Sequence, residues 1–219
     1  MPRPIVRLIR VTGQLALLGS ACYLLCASPQ VNATAKSLNQ IFTPDLQPAG
    51  LLSISPLVED SRIANSEELQ FDLGVTRWAE VAFYHGLRPR EEIGSVEFGL
   101  LNKGPHLLTV GAVNWSSRGG GVQPLLEYGY YREKDQFIIG GIHAARRNEL
   151  VLGYTHQLTD RLQLAFDYQS GPGNSATAGF TYNLTPTLQI NPAAYLTNTR
   201  PQRALGYLLL TWNLPLWHE

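Results

Sequence analysis

Residues 148–170, NELVLGYTHQLTDRLQLAFDYQS, read as two short strands joined by a tight turn at Thr159-Asp160. Along the second strand Leu162, Leu164, Phe166 and Tyr168 alternate with Arg161, Gln163, Ala165, Asp167 and Gln169. A period of two puts the apolar side chains on one face of a strand and the polar ones on the other. The same turn recurs at Val75 to Val81 and at Leu184 to Ile190, matching Leu158 to Leu164 in residue type at most positions. A repeated hairpin with an uninterrupted apolar face requires something to cover that face.

Outward from this stretch the alternation continues in both directions. Leu69, Phe71, Leu73 and Val75 lead to a turn at Thr76-Arg77 and return as Ala79, Val81 and Phe83. Val96, Phe98 and Leu100 precede Lys103-Gly104-Pro105, and Leu126, Tyr128 and Tyr130 precede Glu133-Lys134-Asp135. Ala176, Ala178, Phe180, Tyr182 and Leu184 are followed by Leu188, Ile190, Ala194 and Leu196, and a last strand carries Leu208, Leu210, Trp212 and Leu214. Tight turns near 76, 104, 134, 159 and 185 make the unit a hairpin of two strands of about 10 residues, the length a tilted strand needs to cross a bilayer. Five hairpins and one strand at each end predict an all-β, antiparallel up-and-down transmembrane β-barrel of about 12 strands over residues 49–214. Residues 49–57 are read as a candidate first strand despite Pro56, and Pro192 suggests a bulge in its own strand.

The sense of the barrel follows from its two faces. The apolar faces hold no Lys, Arg, Asp or Glu and present more large side chains than a small ligand-binding interior accepts. The opposite face holds Gly74, Gly99, Gly111, Gly129, Gly140, Gly153 and Gly179, which would weaken a water-exposed sheet but make room inside a curved lumen for Tyr84, Tyr131 or Tyr195. Leu162, Leu164, Phe166, Tyr168, Phe180, Tyr182 and Trp212 are therefore expected to face lipid.

The chain has 219 residues and a formal net charge of zero, which fits one domain and offers no basic stripe for nucleic acid. Residues 1–33 read as a cleavable signal peptide: Arg3, Arg7 and Arg10 lead a mostly apolar run ending at Val31-Asn32-Ala33. A retained transmembrane helix is the competing reading of that run. Cys22 and Cys26 both fall within it, so the expected mature chain has no thiol chemistry and no Cys-based metal site. Residues 34–48 read as a periplasmic leader, a linker in preference to a plug, and 215–219 as a C-terminal tail.

With these residues in place, the chain resembles bacterial outer-membrane β-barrel proteins, in particular small porin-like transporter barrels. The resemblance rests on the Leu-Thr-x-x-Leu-Gln turns, on Gly129-Tyr130, Gly153-Tyr154 and Gly206-Tyr207, and on the closing run from Gly206 to Leu214. It implies a bacterial outer-membrane location, outer-membrane lipid around the barrel, insertion by the outer-membrane assembly machinery, and a passive pore for small solutes. It also implies that the tight turns lie in the periplasm and that residues 59–66, 87–92, 116–121, 145–148, 170–174 and 198–203 face outside. Such barrels end on an aromatic residue. Here Pro215 to Glu219 follows the strand instead, with Trp212 or Trp217 as stand-ins.

The inward face is expected to carry Glu68, Asp72, Glu80, Glu97, Glu127, Glu149 and Asp167 against Arg161 alone. Two readings stand: an acidic lumen that favours cations, or carboxylates paired inside a closed structural barrel. The loop arginines Arg88, Arg90, Arg118, Arg146, Arg147, Arg200 and Arg203 suit bidentate contact with lipopolysaccharide phosphates or are plain solvated loop ends. No cofactor is expected: Gly119-Gly120-Gly121 opens no helix, and the histidines lack metal-ligand spacing. An outer-membrane lipid hydrolase would place Ser two residues after His, and no histidine here has one.

Overall fold

The structure, a computed structural model, describes residues 38–144 and 146–217. The expected signal peptide, the first residues of the leader and the last two residues of the tail lie outside that range. The strands are β1 (Leu51–Glu59), β2 (Glu67–Thr76), β3 (Ala79–Leu87), β4 (Arg90–Lys103), β5 (His106–Ser116), β6 (Gln123–Arg132), β7 (Asp135–Ala144), β8 (Arg147–Thr159), β9 (Leu162–Gln169), β10 (Ser175–Asn183), β11 (Leu188–Thr197) and β12 (Ala204–Pro215). Each pairs antiparallel with its neighbour in sequence, and β1 closes on β12 from Leu51↔Pro215 to Glu59↔Tyr207. The result is a closed up-and-down barrel of twelve strands. Closure leaves no strand edge unpaired.

Alternation fixes which side of each strand is covered. In β12, Leu205, Tyr207, Leu209, Thr211 and Asn213 are buried, while Leu208, Leu210 and Trp212 between them are exposed. The same rhythm exposes Phe83, Phe98, Leu126, Phe137, Ile139, Leu152, Phe166, Phe180 and Tyr182 on the outer surface. A continuous outer coat of large apolar side chains, with the buried polar ones inside, is the reverse of a water-soluble barrel.

Proline sits in the ladder with less disturbance than its sequence suggests. Pro192 was expected to mark a bulge, yet Ala193↔Gly179 and Ile190↔Tyr182 keep one register across it. Pro192 has no N–H to offer, and the Phe180 carbonyl on β10 accepts from Asn191 Nδ2 at 2.9 Å. Irregularities fall instead at Gly74/Thr76, Gly94/Val96, Gly99/Leu101 and Gln157/Thr159. Those positions lack a proline and mostly carry glycine, which accommodates the extra twist of a bulge.

The tight connections β2–β3, β4–β5, β6–β7, β8–β9 and β10–β11 all lie at one end, together with the start of β1 and the end of β12. The opposite end carries the remaining connections. Both ends of the barrel segment are tied at the turn end, where Leu216 N–H donates to Gly50 O at 2.7 Å.

Candidate functional site

The interior of the barrel is occupied by the chain's own leader. Residues 38–48, expected as a linker ahead of β1, fold inward: Leu38, Asn39, Ile41, Thr43 and Gln47 are all buried. The linker expectation rested on their polarity and two prolines. It fails because the inner wall bonds Asn39, Gln40, the Pro44 carbonyl and Gln47 and buries Leu38 and Ile41.

The polar contacts run along the segment. Asp167 Oδ2 on β9 accepts from the backbone N–H of Asn39 at 2.7 Å and of Gln40 at 3.2 Å. Asn39 Nδ2 donates to Thr177 Oγ1 at 2.9 Å, and Tyr195 OH donates to the Asn39 carbonyl. Thr109 Oγ1 donates to the Pro44 carbonyl at 2.7 Å. Glu80 Oε2 on β3 accepts from Gln47 N–H at 2.6 Å, and Gln47 Nε2 reaches Ser53 Oγ at 2.5 Å. Carboxylates thus serve as acceptors for the N–H groups of a segment without strand partners, a charge-assisted and therefore stronger class of bond.

The apolar contacts are equally specific. Leu38 and Ile41 join Val113, Leu125, Ile138, Ile142, Val151 and Ala165 in one buried cluster, with Phe42 packed against it. Burying two such side chains contributes about 1.5–3 kcal/mol each relative to leaving them in water. On the opposite wall Leu57, Tyr195, Leu205, Tyr207 and Leu209 form a second cluster.

Glycines on alternate strands shape the wall for this segment. A Cβ at Gly74 of β2 would stand 2.1 Å from Pro48 O, and one at Gly129 of β6 would stand 2.7 Å from Pro44 Cγ. At Gly153 of β8 it would meet Leu38 Cδ1 at 2.6 Å and Ile41 Cδ1 at 2.9 Å; at Gly179 of β10 it would meet Asn39 Oδ1 at 2.5 Å. Gly99 of β4 faces Leu46 Cδ1 at 3.3 Å. The inward glycines do make room, as the sequence implied, but chiefly for the leader rather than for inward tyrosines. Gly111 and Gly140 instead clear space for the Glu97 and Glu127 side chains.

The candidate lining residues sort clearly. Asp72, Glu80, Glu97, Glu127, Glu149 and Asp167 are buried on the inward face, as is Glu68. Glu149 Oε2 accepts from Gln169 Nε2 at 2.8 Å and Asn174 Nδ2 at 2.7 Å. Arg161 departs from the expectation: β9 begins at Leu162, so Arg161 sits in the turn and is exposed. The sequence alternation carried it onto the inward face by parity alone. Between the rims, the inward positions among the described residues hold no lysine or arginine. The arginines at 88, 90, 118, 146, 147, 200 and 203 all lie at the loop end, where Arg88 Nη1 stands 3.4 Å from Glu67 Oε1. Phe166, Phe180, Tyr182 and Trp212 are exposed on the outside, with Leu162, Leu164 and Tyr168 partly so.

Two cavities flank the leader. A cavity of ≈ 240 Å³ has Asn39 to Phe42 as its floor and Glu59, Glu68, Gln70, Tyr84, Gln169 and Tyr207 among its walls. A smaller one of ≈ 90 Å³ at the turn end is lined by Pro44, Asp45 and Leu46 with Arg77, Trp78 and Asn102. The two linings have no residue in common, and each takes its own stretch of the leader, Asn39 to Phe42 in one and Pro44 to Leu46 in the other.

The barrel has the porin fold. A NanC porin structure superposes with a TM-score of 0.53 at 10% sequence identity, over 73% of this chain and 97% of that one. A KdgM porin superposes with a TM-score of 0.54 at 7% identity, over 74% and 98%; another KdgM structure holds a disordered oligogalacturonate. No protein-family model matches the chain, and no curated protein matches it. Identities this low establish the architecture alone.

Among the described residues the histidines take no part in the lumen. His156 Nδ1 lies 2.8 Å from Asp135 Oδ1, His106 Nδ1 lies 2.6 Å from Tyr128 OH, and His143 Nδ1 lies 2.7 Å from Asn148 Oδ1. Among the described residues no group of His, Cys, Asp or Glu is arranged to hold a metal ion.

Proposed function

We propose that this chain is a porin-like barrel of the bacterial outer membrane that passes small solutes and prefers cations. The apolar outer coat supports the membrane location, and the porin fold supports passage through the lumen. The observation that carries the reading is the inner wall itself: Glu68, Asp72, Glu80, Glu97, Glu127, Glu149 and Asp167 lie on the inward face, with no lysine or arginine of the described strands between the rims. A barrel serving only as an anchor would be expected to fill its interior with apolar packing, since buried ionisable groups are costly unless hydrated or paired.

Fixed negative charge attracts cations into a narrow passage and repels anions. An oligogalacturonate, the solute held by one neighbour, is itself anionic, and the acidic wall here opposes it. In this setting the tight turns face the periplasm and the arginine-bearing loops face outside.

Refolded protein in a planar bilayer under a potassium chloride gradient tests the reading. Small stepwise currents with a cation-selective reversal potential are expected, with selectivity declining as salt screens the wall. A reversal potential of anion-selective sign overturns it. The packing of the leader favours a second reading, a closed barrel without transport; silence from both the full chain and a variant lacking residues 38–46 would establish that reading instead.

A further inference from the structure

The inner wall is a binding site for an extended peptide. We propose that its occupant, residues 38–48 of this same chain, is a displaceable plug that sets whether the pore is open. The inference rests on the pore reading above and adds its regulation.

Three observations carry it. First, the leader is the partition between the cavity at the loop end and the one at the turn end: Asn39 to Phe42 floor the former and Pro44 to Leu46 line the latter. On this proposal, its withdrawal joins the two. Second, the wall is shaped for this segment, with the niches at Gly74, Gly129, Gly153 and Gly179 each filled by a leader atom that an added Cβ would strike. A site so fitted has a cognate occupant. Third, the segment is not woven into the sheet. The ladders that close the barrel run β1 to β12 without it, and the one described isolated bridge next to it, Ala49↔Gly74, lies just past its end.

Its remaining described bonds run largely to side chains: Asp167, Thr109, Thr177 and Glu80. Those groups face the lumen and can be rehydrated when the segment leaves. Departure breaks none of the strand-to-strand ladders that close the barrel; what it costs β1 is the bond from Leu51 N–H to Pro48 O at 2.9 Å. A pivot is also present. Gly50, between leader and β1, has φ of 79°, and a Cβ there would stand 2.2 Å from Trp217 O. That left-handed conformation suits glycine, and the chain reverses there from lumen to wall. Segments held by few backbone hydrogen bonds open more readily than strands do.

The site recognises an extended stretch that presents backbone N–H groups to Asp167 and Glu80 and branched aliphatic side chains to the Gly153 niche. The occupant is in cis, so its effective concentration is high and the plugged state predominates.

Locking and removal test this. A Cβ at Gly129 would lie 2.7 Å from Pro44 Cγ, so Pro44→Cys with Gly129→Cys places two thiols within disulfide reach in a chain whose native cysteines are Cys22 and Cys26. Single-channel conductance is read for the full chain, the oxidised and reduced double variant, and a variant lacking residues 38–46. Deletion should raise the mean open conductance several-fold. Oxidation should abolish the larger openings, and reductant should restore them within the same membrane. If the deletion conducts no more than the full chain, the segment does not plug the path and the inference fails. If the deletion conducts more but the oxidised lock leaves openings unchanged, the segment narrows the pore without gating it, and displacement is overturned. If no variant conducts, the pore reading falls first, and the inference with it. Heat-modifiable migration of each variant on a gel confirms that the barrel has formed.

Discussion

At Asp60, in the connection between β1 and β2, one charge pair can be read in isolation. Arg62 Nε donates to Asp60 Oδ1 at 2.8 Å and its Nη2 lies 2.5 Å from Oδ2, while the Arg62 backbone N–H reaches Oδ1 at 3.0 Å. Hydrogen bonds from the Arg62 side chain, then its backbone, hold the Asp60 carboxyl down at about 2. A carboxylate depressed in the folded state contributes to stability above its unfolded value of about 3.9 and loses that contribution as pH falls through the folded value. The pair is solvent-exposed, so its effect on overall stability is small. The Asp60 carboxyl carbon, followed by NMR, should therefore titrate near 2. Arg62→Ala should move the midpoint up toward the ordinary aspartate range. An unchanged midpoint would show that the guanidinium is not the cause.

Among the elements, β9 shows what alternation does and does not reveal. Phe166 is 44% exposed and Asp167, its neighbour, is 6%. One residue of slip would exchange them, so the register is strongly specified. Phe166→Arg should cost about 2–4 kcal/mol if that position lies near the bilayer midplane, against roughly zero to 1 near an interface. Equilibrium unfolding from lipid vesicles measures this; a neutral outcome would mean the outer face of β9 does not meet hydrocarbon. The strands and their pairing were legible because a period of two survives in residue type at Leu162, Leu164 and Phe166 alike. The leader was not. Leu38, Ile41, Phe42 and Leu46 follow no strand period, and a polar stretch with two prolines resembles any linker. A signal was nonetheless present in the inward glycines of alternate strands, Gly74, Gly99, Gly129, Gly153 and Gly179. In the structure a Cβ at each of these five would come within 3.3 Å of a leader atom. Arg161 failed for another reason: parity continues through a turn on paper, whereas the backbone leaves the sheet at Thr159.

For the whole molecule, the question is whether barrel and leader are one cooperative unit. Neighbouring strands hold the barrel together around a closed ring, and the last pair, β1 with β12, is as continuous as the others apart from a gap at Ser55 and Pro56, where Ser55 Oγ bonds Thr211 Oγ1 at 2.9 Å. Nothing in that ring passes through residues 38–46. The leader, in contrast, gains its order from the wall: its packing partners and hydrogen-bonding groups lie on the strands, from Ser53 on β1 and Glu80 on β3 to Asp167 on β9 and Tyr195 on β11. Order therefore flows one way, from barrel to leader. Hydrogen exchange on refolded protein should then resolve two classes of amide. Those of Asn39, Gln40 and Gln47 should exchange through a local opening, faster than the strand amides of β7 and β8, and Asp167→Ala should accelerate Asn39 and Gln40 tenfold or more while leaving β7 and β8 unchanged. Equal acceleration in the strands would mean that leader and barrel open together. The leader would then be a structural part of the barrel rather than a segment the barrel holds.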